Sequence, residues 1–448
     1  MQEKKLTLFN LAWPIFVETL LFMFLGFIDV FALSQFDDVA SSAVSTANQV
    51  AGICTLVFGV LSGASAVLIS QYLGAKNRKK ASEIAAVSIG VNLTLGLVIS
   101  AVLLLFHKPF LIVLGADGDI LNYASEYLQI VGGFMFGQAL LSSMTTVFRS
   151  HGYTRISMYV TVMMNIVNTA LDLILVLGLF GMPVMGVVGV AIATTVSRIL
   201  GLIVLTIVFF KKVEKLSFFK YLKPMPWGTL KQLLKVGIPA SFETFNYNIS
   251  QLVVTALALY FLTENEYIAR NYVQNITMFF YIFSSSIGQA SQILTGRRVG
   301  AGKFEEANKG VWKAYGVALI LSMSVCVLGI LFRYPLLGIF TTNTEVLDIG
   351  STIIFVNIIL EFGRTTNLVL ISSLRGAGDV YFPSMVSIFS VWVLTVGLSY
   401  LLAVVFNMGV LGMWIAIAAD ECCRGLFMVW RWKSGKWREK ALVKAQTE

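Results

Sequence analysis

The chain has 448 residues, 57% of them hydrophobic and 13% charged, with mean hydropathy +0.80. Soluble domains carry about 25% charged residues, so a soluble globular fold is excluded, and a count of domains from length does not apply. The net charge of +9 then reads as basic loops beside a membrane and not as a nucleic-acid surface, while Cys54, Cys326, Cys422 and Cys423 lie in apolar segments that suggest no disulfide framework.

The N-terminal MQEKK followed by an apolar run has the outline of a signal peptide. Glu18 interrupts that run and no small-residue cleavage site follows, so it reads as a retained first span. Apolar runs of about 20 residues or more fall near 9–33, 43–73, 84–106, 121–148, 156–180, 185–210, 233–262, 268–296, 310–332, 346–374, 382–406 and 409–430, which predicts twelve transmembrane helices. Several exceed the bilayer thickness and are expected to tilt or protrude.

Lys and Arg orient these spans. The N-terminus, KNRKK (76–80), Arg149, Arg155, the stretch 211–235, RRVGAGK (297–303) with Lys309 and Lys313, Arg375 and the tail from Arg431 hold 27 of the 33 basic residues. The opposite loops hold three, Lys108, Arg270 and Arg333. Such asymmetry puts both termini in the cytoplasm of a multi-pass plasma-membrane protein.

The sequence repeats itself. PIFVET (14–19) recurs as PASFET (239–244), an offset of 225; at an offset of 226, LGAK (73–76) matches VGAG (299–302), FRSHG (148–152) matches LRGAG (374–378), Gly186 matches Gly412 and Arg198 matches Arg424. Each repeat holds an even number of spans, so both insert the same way up, related by an axis along the membrane normal as in one class of secondary transporters. The expected fold is an all-α polytopic membrane protein, twelve helices in two six-helix lobes with pseudo-two-fold symmetry. The N-lobe is expected at 1–210, a cytoplasmic linker at 211–232, the C-lobe at 233–432 and a cytoplasmic tail at 433–448.

What the repeat omits is as informative. Asp29 corresponds to Val254, Asn168 to Leu394, Asp172 to Leu398, and Thr194 and Thr195 to Asp420 and Glu421. Asn168 and Asp172, four residues apart, share a helix face. Depths along spans one, five and six allow Asp29, Asn168, Asp172, Thr194 and Thr195 to converge in the outer half to middle of the membrane. Two readings stand: hydrogen bonds that glue helices together, or a site for a coupling ion, since an intramembrane carboxylate is a functional hypothesis by default. Two close carboxylates would take a proton near neutral pH, or a sodium ion on oxygen ligands from Asp29, Asn168, Asp172 and Thr194.

Glu18 lies nearer the cytoplasm. Because Glu243 repeats it, it reads either as a carboxylate accepting from backbone groups left irregular by Pro14 or as a group that attracts substrate. In AADECCR (418–424), Asp420 and Arg424 are placed for an ion pair, as are Glu361 and Arg364 in EFGRTTN (361–367); unpaired Glu243 or Glu421 would attract cations. His107 and His151 are far apart, and no HExxH, paired CxxC, Walker loop or GxSxG occurs, so the chain reads as neither an enzyme nor an ATP-driven pump.

WPIFVE and GFIDV in the first span, QYLGAKNRKKA (71–81), FRSHG, NIVNTALDLILVLG (165–178), GVVGVAIATTVSR (186–198) and their C-half echoes together resemble the multidrug and toxic compound extrusion (MATE) family, in its prokaryotic branch near DinF-type members. The resemblance implies a monomeric, cofactor-free antiporter that expels cationic or amphipathic small molecules from a lipid bilayer against a proton or sodium gradient. It implies that Asp29 is the family's first-helix acid, Asn168 and Asp172 its fifth-helix pair, and Thr194 or Thr195 its sixth-helix hydroxyl. Pro14 matches the proline at which the first helix bends when that acid is protonated. Where some members carry a helix 10 acid that couples sodium, this chain has Glu361 and Arg364. The alternative within transport is a flippase or exporter of a lipid-linked metabolite, which would need a basic cleft; a polytopic membrane enzyme would need a nucleophile and base that the chain lacks.

Overall fold

The computed structural model describes residues 6–34, 37–176, 178–214 and 216–443, and no strand occurs among them. The first half comprises α1 (Leu8–Ser34), α2 (Asp38–Gly74), α3 (Arg78–Val113), α4 (Gly118–Gly133), α5 (Met135–Ser150), α6 (Thr154–Val176) and α7 (Gly186–Lys212). The second comprises α8 (Trp227–Phe261), α9 (Glu264–Gly300), α10 (Phe304–Leu331), α11 (Arg333–Gly338), α12 (Thr344–Ala377), α13 (Tyr381–Ser390) and α14 (Gly409–Lys433).

All twelve predicted spans fall on helices, two of them with unexpected geometry. The fourth is a bent pair, α4 and α5, meeting at 50°. Phe134 at the junction has φ −107° and ψ 19° and follows Gly132 and Gly133, so two residues of weak helical preference precede the break. The eleventh begins as α13 and continues as π-helix over Val391–Leu398 and Leu401–Val405. Among the described residues, seven helices, or eight counting the bent pair, are long and apolar enough by length and composition alone to cross a membrane. Others, such as α14 with buried Asp420, Glu421 and Arg424, carry polar groups within a comparable length.

The chain packs as two units. One contains residues 13–69 and 77–237; the other contains residues up to Ala12, Ser70–Lys76, and everything from Ile238 onward. In both α1 and α8 the change of unit falls just before the repeated proline, Pro14 or Pro239. A proline inside a helix donates no hydrogen bond to the carbonyl four residues back, so each helix is softest where it leaves one unit for the other.

In the first unit, α2 presents Ala40, Ala43, Ala47 and Ala51 to a core that includes Phe58, Tyr127 and Leu128. Small residues at that spacing let helices approach without a water-driven hydrophobic effect. In the second, Val273, Ile353, Ile354 and Trp414 share one core. There the end of α2 is pinned: Gln71, fully buried, donates Nε2 to the Gly376 carbonyl at 2.8 Å and accepts from the Leu442 amide at 2.9 Å.

Candidate functional site

The N-half site is built where α6 and α7 run close. Gly189 makes this approach: a Cβ there would meet the Leu175 backbone at 3.1 Å. Five residues on, Thr194 receives a contact from Asn168 Nδ2 at 3.5 Å, the outer limit of a hydrogen bond. Asn168 and Asp172 are fully buried on the shared face of α6, and Thr194 and Thr195 are 1% and 6% exposed. The Thr195 hydroxyl has no hydrogen-bond partner among the described residues. Pro14 lies buried in α1. Asp29 lies on the same helix, but its side chain is outside the described residues. The structure thus brings a carboxylate, a carboxamide and two hydroxyls into the interior of one unit.

The repeated glutamates share one arrangement. Glu18, 1% exposed, accepts from Arg149 Nη2 at 2.8 Å and Nε at 3.2 Å. Glu243 accepts from Arg375 Nη2 at 2.6 Å. Each half therefore joins its first helix to the end of its fourth span by a Glu–Arg pair, and both members belong to the repeat: PxxxE supplies the acid and FRSHG or LRGAG the arginine. The partner of Glu18 is a guanidinium, where the sequence pointed to backbone groups near Pro14. Arg149 and Arg375, counted among the cytoplasmic-side basic residues, lie instead at helix ends against these acids; the sequence signal for the pairing is their near-equal separation from the glutamates in both halves.

The second unit holds a larger polar network. Glu361, fully buried, accepts from Arg364 at 3.4 Å and from the Ser284 hydroxyl at 3.0 Å, and Ser284 also meets Ser322 and Thr365. On α14, Arg424 pairs with Asp420 at 2.6 Å and Glu421 at 2.9 Å; Asn367 donates to Glu421 at 2.9 Å, and Ser390 donates to Asp420. Gly363 lets α12 reach α14 (a Cβ would stand 2.5 Å from the Cys422 amide nitrogen). Neither Glu243 nor Glu421 is the unpaired acid that the sequence reading supposed. Ser284, Ser322 and Ser390 escaped that reading because small hydroxyls in apolar helices more often bond their own backbone.

Among the described residues no group of three or more His, Cys, Asp and Glu is placed to hold a metal ion. What the N-half cluster offers is hard oxygen donors, suited to a proton or a small cation.

The sequence matches the MatE family over two segments, 14–174 and 239–401, each beginning at a repeated proline. It is 38% identical over 444 residues to a Bacillus subtilis protein named uncharacterized transporter YisQ, covering 98% of this chain and 97% of that one. It is 29% identical to a probable multidrug resistance protein NorM of Thermotoga maritima, covering 98% and 95%. A crystal structure of MATE in the bent conformation superposes with TM-score 0.87 at 21% identity over 96% of both chains. On the doubled family match, the full-length relatives and the shared two-lobed fold, the chain belongs to the MatE family of multidrug efflux transporters and is a multi-pass membrane transporter, not an enzyme.

Proposed function

We propose that this protein is a secondary active exporter of the plasma membrane that expels cationic or amphipathic compounds in exchange for an entering proton or sodium ion. The observation that carries the proposal is the buried N-half cluster of Asn168, Asp172, Thr194 and Thr195, which the second half does not repeat. A shared architectural glue would be expected in both halves; a site for one coupling ion is needed in only one.

In this reading an ion arriving from outside neutralises Asp172 together with Asp29, α1 bends at Pro14, and substrate leaves to the exterior. The ion then departs to the cytoplasm, where both termini lie. The bend draws support from the fold relative crystallised in a bent conformation. One charge crossing about 100 mV is worth about 2.3 kcal/mol, which sustains roughly a fifty-fold gradient of a neutral solute without ATP. The exporter works as a monomer with no cofactor. Arg149, Arg364, Arg375 and Arg424 each carry a carboxylate partner, so these four offer no free basic cleft for a lipid-linked pyrophosphate.

The test is efflux from proteoliposomes under separately imposed pH and sodium gradients, comparing wild type with Asp29→Asn and Asp172→Asn. Both variants are expected to lose gradient-driven transport. Full retention in both would refute N-half coupling.

A further inference from the structure

Buried polar side chains continue along α6 well beyond the candidate ion site. Ser157, Thr161, Asn165, Asn168 and Asp172 are all buried. At about 100° per residue their spacing keeps them within an arc of about 80°, and they span about 22 Å of helix. The matching positions in the second half are Pro383, Ser387, Val391, Leu394 and Leu398. Only one of these five is polar; the eleventh span buries hydroxyls of its own at Ser384, Ser387, Thr395 and Ser399, but no carboxamide or carboxylate stands among residues 381–405, so the mixed stripe of hydroxyls, carboxamides and a carboxylate is found on α6 and not on its counterpart.

At the end of the stripe nearer the start of α6 lies a cavity of about 170 Å³. Ser157 and Thr161 line it from α6, Gln138 and Ser142 from α5, and the Glu18–Arg149 pair borders it. It is large enough to hold several waters. The Ser157 hydroxyl, in a residue 1% exposed, has no hydrogen-bond partner among the described residues, and neither does the side-chain oxygen Oδ1 of Asn165, whose Nδ2 donates to the Thr161 carbonyl at 2.9 Å. Buried polar atoms are seldom left without partners; water in this cavity, whose lining mixes polar groups with Phe22, Leu141, Val160, Met164 and Leu205, would supply one to Ser157, while Asn165 stands one turn beyond the lining. From Thr161 to Asn168 is about 10 Å along the helix, and Asn165 stands between.

We propose that the cavity and the α6 stripe form a hydrated conduit by which the coupling cation leaves the Asn168–Asp172 site, with the Glu18–Arg149 pair at its mouth. The proposal rests on the ion-coupled reading above. Pairing matters at the mouth: Arg149 alone would repel a cation, whereas the neutral pair does not. Hydroxyls and carboxamides along the way offer oxygen to a hydronium or a sodium ion without trapping it, as a further carboxylate would.

The test has two arms. In a chain with its four cysteines replaced, Thr161→Cys is exposed to a small cationic thiosulfonate, with Val147→Cys as a control, a fully buried position that does not line the cavity. Labelling at position 161 is expected to be at least about tenfold faster, because only a hydrated thiol ionises and reacts. In proteoliposomes, Thr161→Val and Asn165→Leu are expected to slow gradient-driven efflux about tenfold while substrate affinity stays within about twofold, and Thr161→Ser to keep the wild-type rate. Separate pH and sodium gradients identify which cation is slowed. Equal labelling at 161 and 147 overturns the conduit whatever drives transport, as do full rates in both blocking variants. A wild type that responds to neither gradient overturns the coupling reading and the conduit's role with it; the labelling arm still reports whether the cavity is wet.

Discussion

Removing Arg149 leaves Glu18 buried without its counter-charge, and the two halves make this a controlled comparison. The Glu18 side chain is 1% exposed and that of Glu243 is 11% exposed, while their arginines are 20% and 24% exposed. Orphaning a buried charge costs about 3–5 kcal/mol and exposed pairs about 0–1 kcal/mol, so Arg149→Met is expected near 2–3 kcal/mol and Arg375→Met near 1–2 kcal/mol. Glu18→Gln alone should cost less than Arg149→Met, because the guanidinium it leaves is 20% exposed and can reach solvent. In detergent thermal unfolding, at about 2–4 °C per kcal/mol for a unit of this size, Arg149→Met should lower Tm by about 5–10 °C. Adding Glu18→Gln to it should restore at least half of that loss, since a neutral amide needs no counter-ion. Additive losses in the double variant, or a smaller loss for Arg149→Met than for Arg375→Met, would show that the pairs do not hold the helices as argued.

Three further outcomes are expected. Gln71→Leu strips partners from the buried Gly376 carbonyl, at about 1–3 kcal/mol, and from the part-buried Leu442 amide, at less; tryptic cleavage near Lys440 should accelerate, and unchanged cleavage would mean the segment is held elsewhere. Gly189→Val pushes α6 from α7 and should cut gradient-driven efflux about tenfold, whereas Gly52→Ala, with nothing within 4 Å of its new methyl, should not. Burial pushes the Glu214 carboxyl up, and the Ser82 hydroxyl that donates to it pulls part of that back. The native state thus holds this proton more tightly than the unfolded chain, and its contribution, present at low pH, is lost as pH rises through the native value. Glu214→Gln should therefore raise Tm at about pH 7.5 and leave it unchanged at about pH 4; the reverse pattern would contradict the assignment.

The helical spans and the doubling of the chain are legible without coordinates because both are written in local terms. Twenty apolar residues must become a helix in lipid, where the backbone has no other partner. A motif that occurs twice at one offset needs no three-dimensional information to be seen. The same locality pointed to Asn168, Asp172, Thr194 and Thr195, since their absence from the second half sets them apart. The bend between α4 and α5 is harder to read: Gly132 and Gly133 permit it, but glycine occurs throughout membrane helices and most of these stay straight.

Pairing is what the sequence by itself left open. From the order of residues, this chain is a duplicated twelve-span transporter with a different polar cluster in each half and basic residues on one side. Only the tertiary structure decided that Arg149 and Arg375 leave the basic count to neutralise Glu18 and Glu243, that Glu421 is shared by Arg424 and Asn367, and that Ser157 and Thr161 face a cavity. The reason is physical. A transmembrane carboxylate must find a partner or a proton, but several arginines and hydroxyls lie within reach of each acid in principle. The choice among them depends on which helix faces are pressed together, and that is set by small residues such as Gly189 and Gly363, whose contribution is the absence of a side chain.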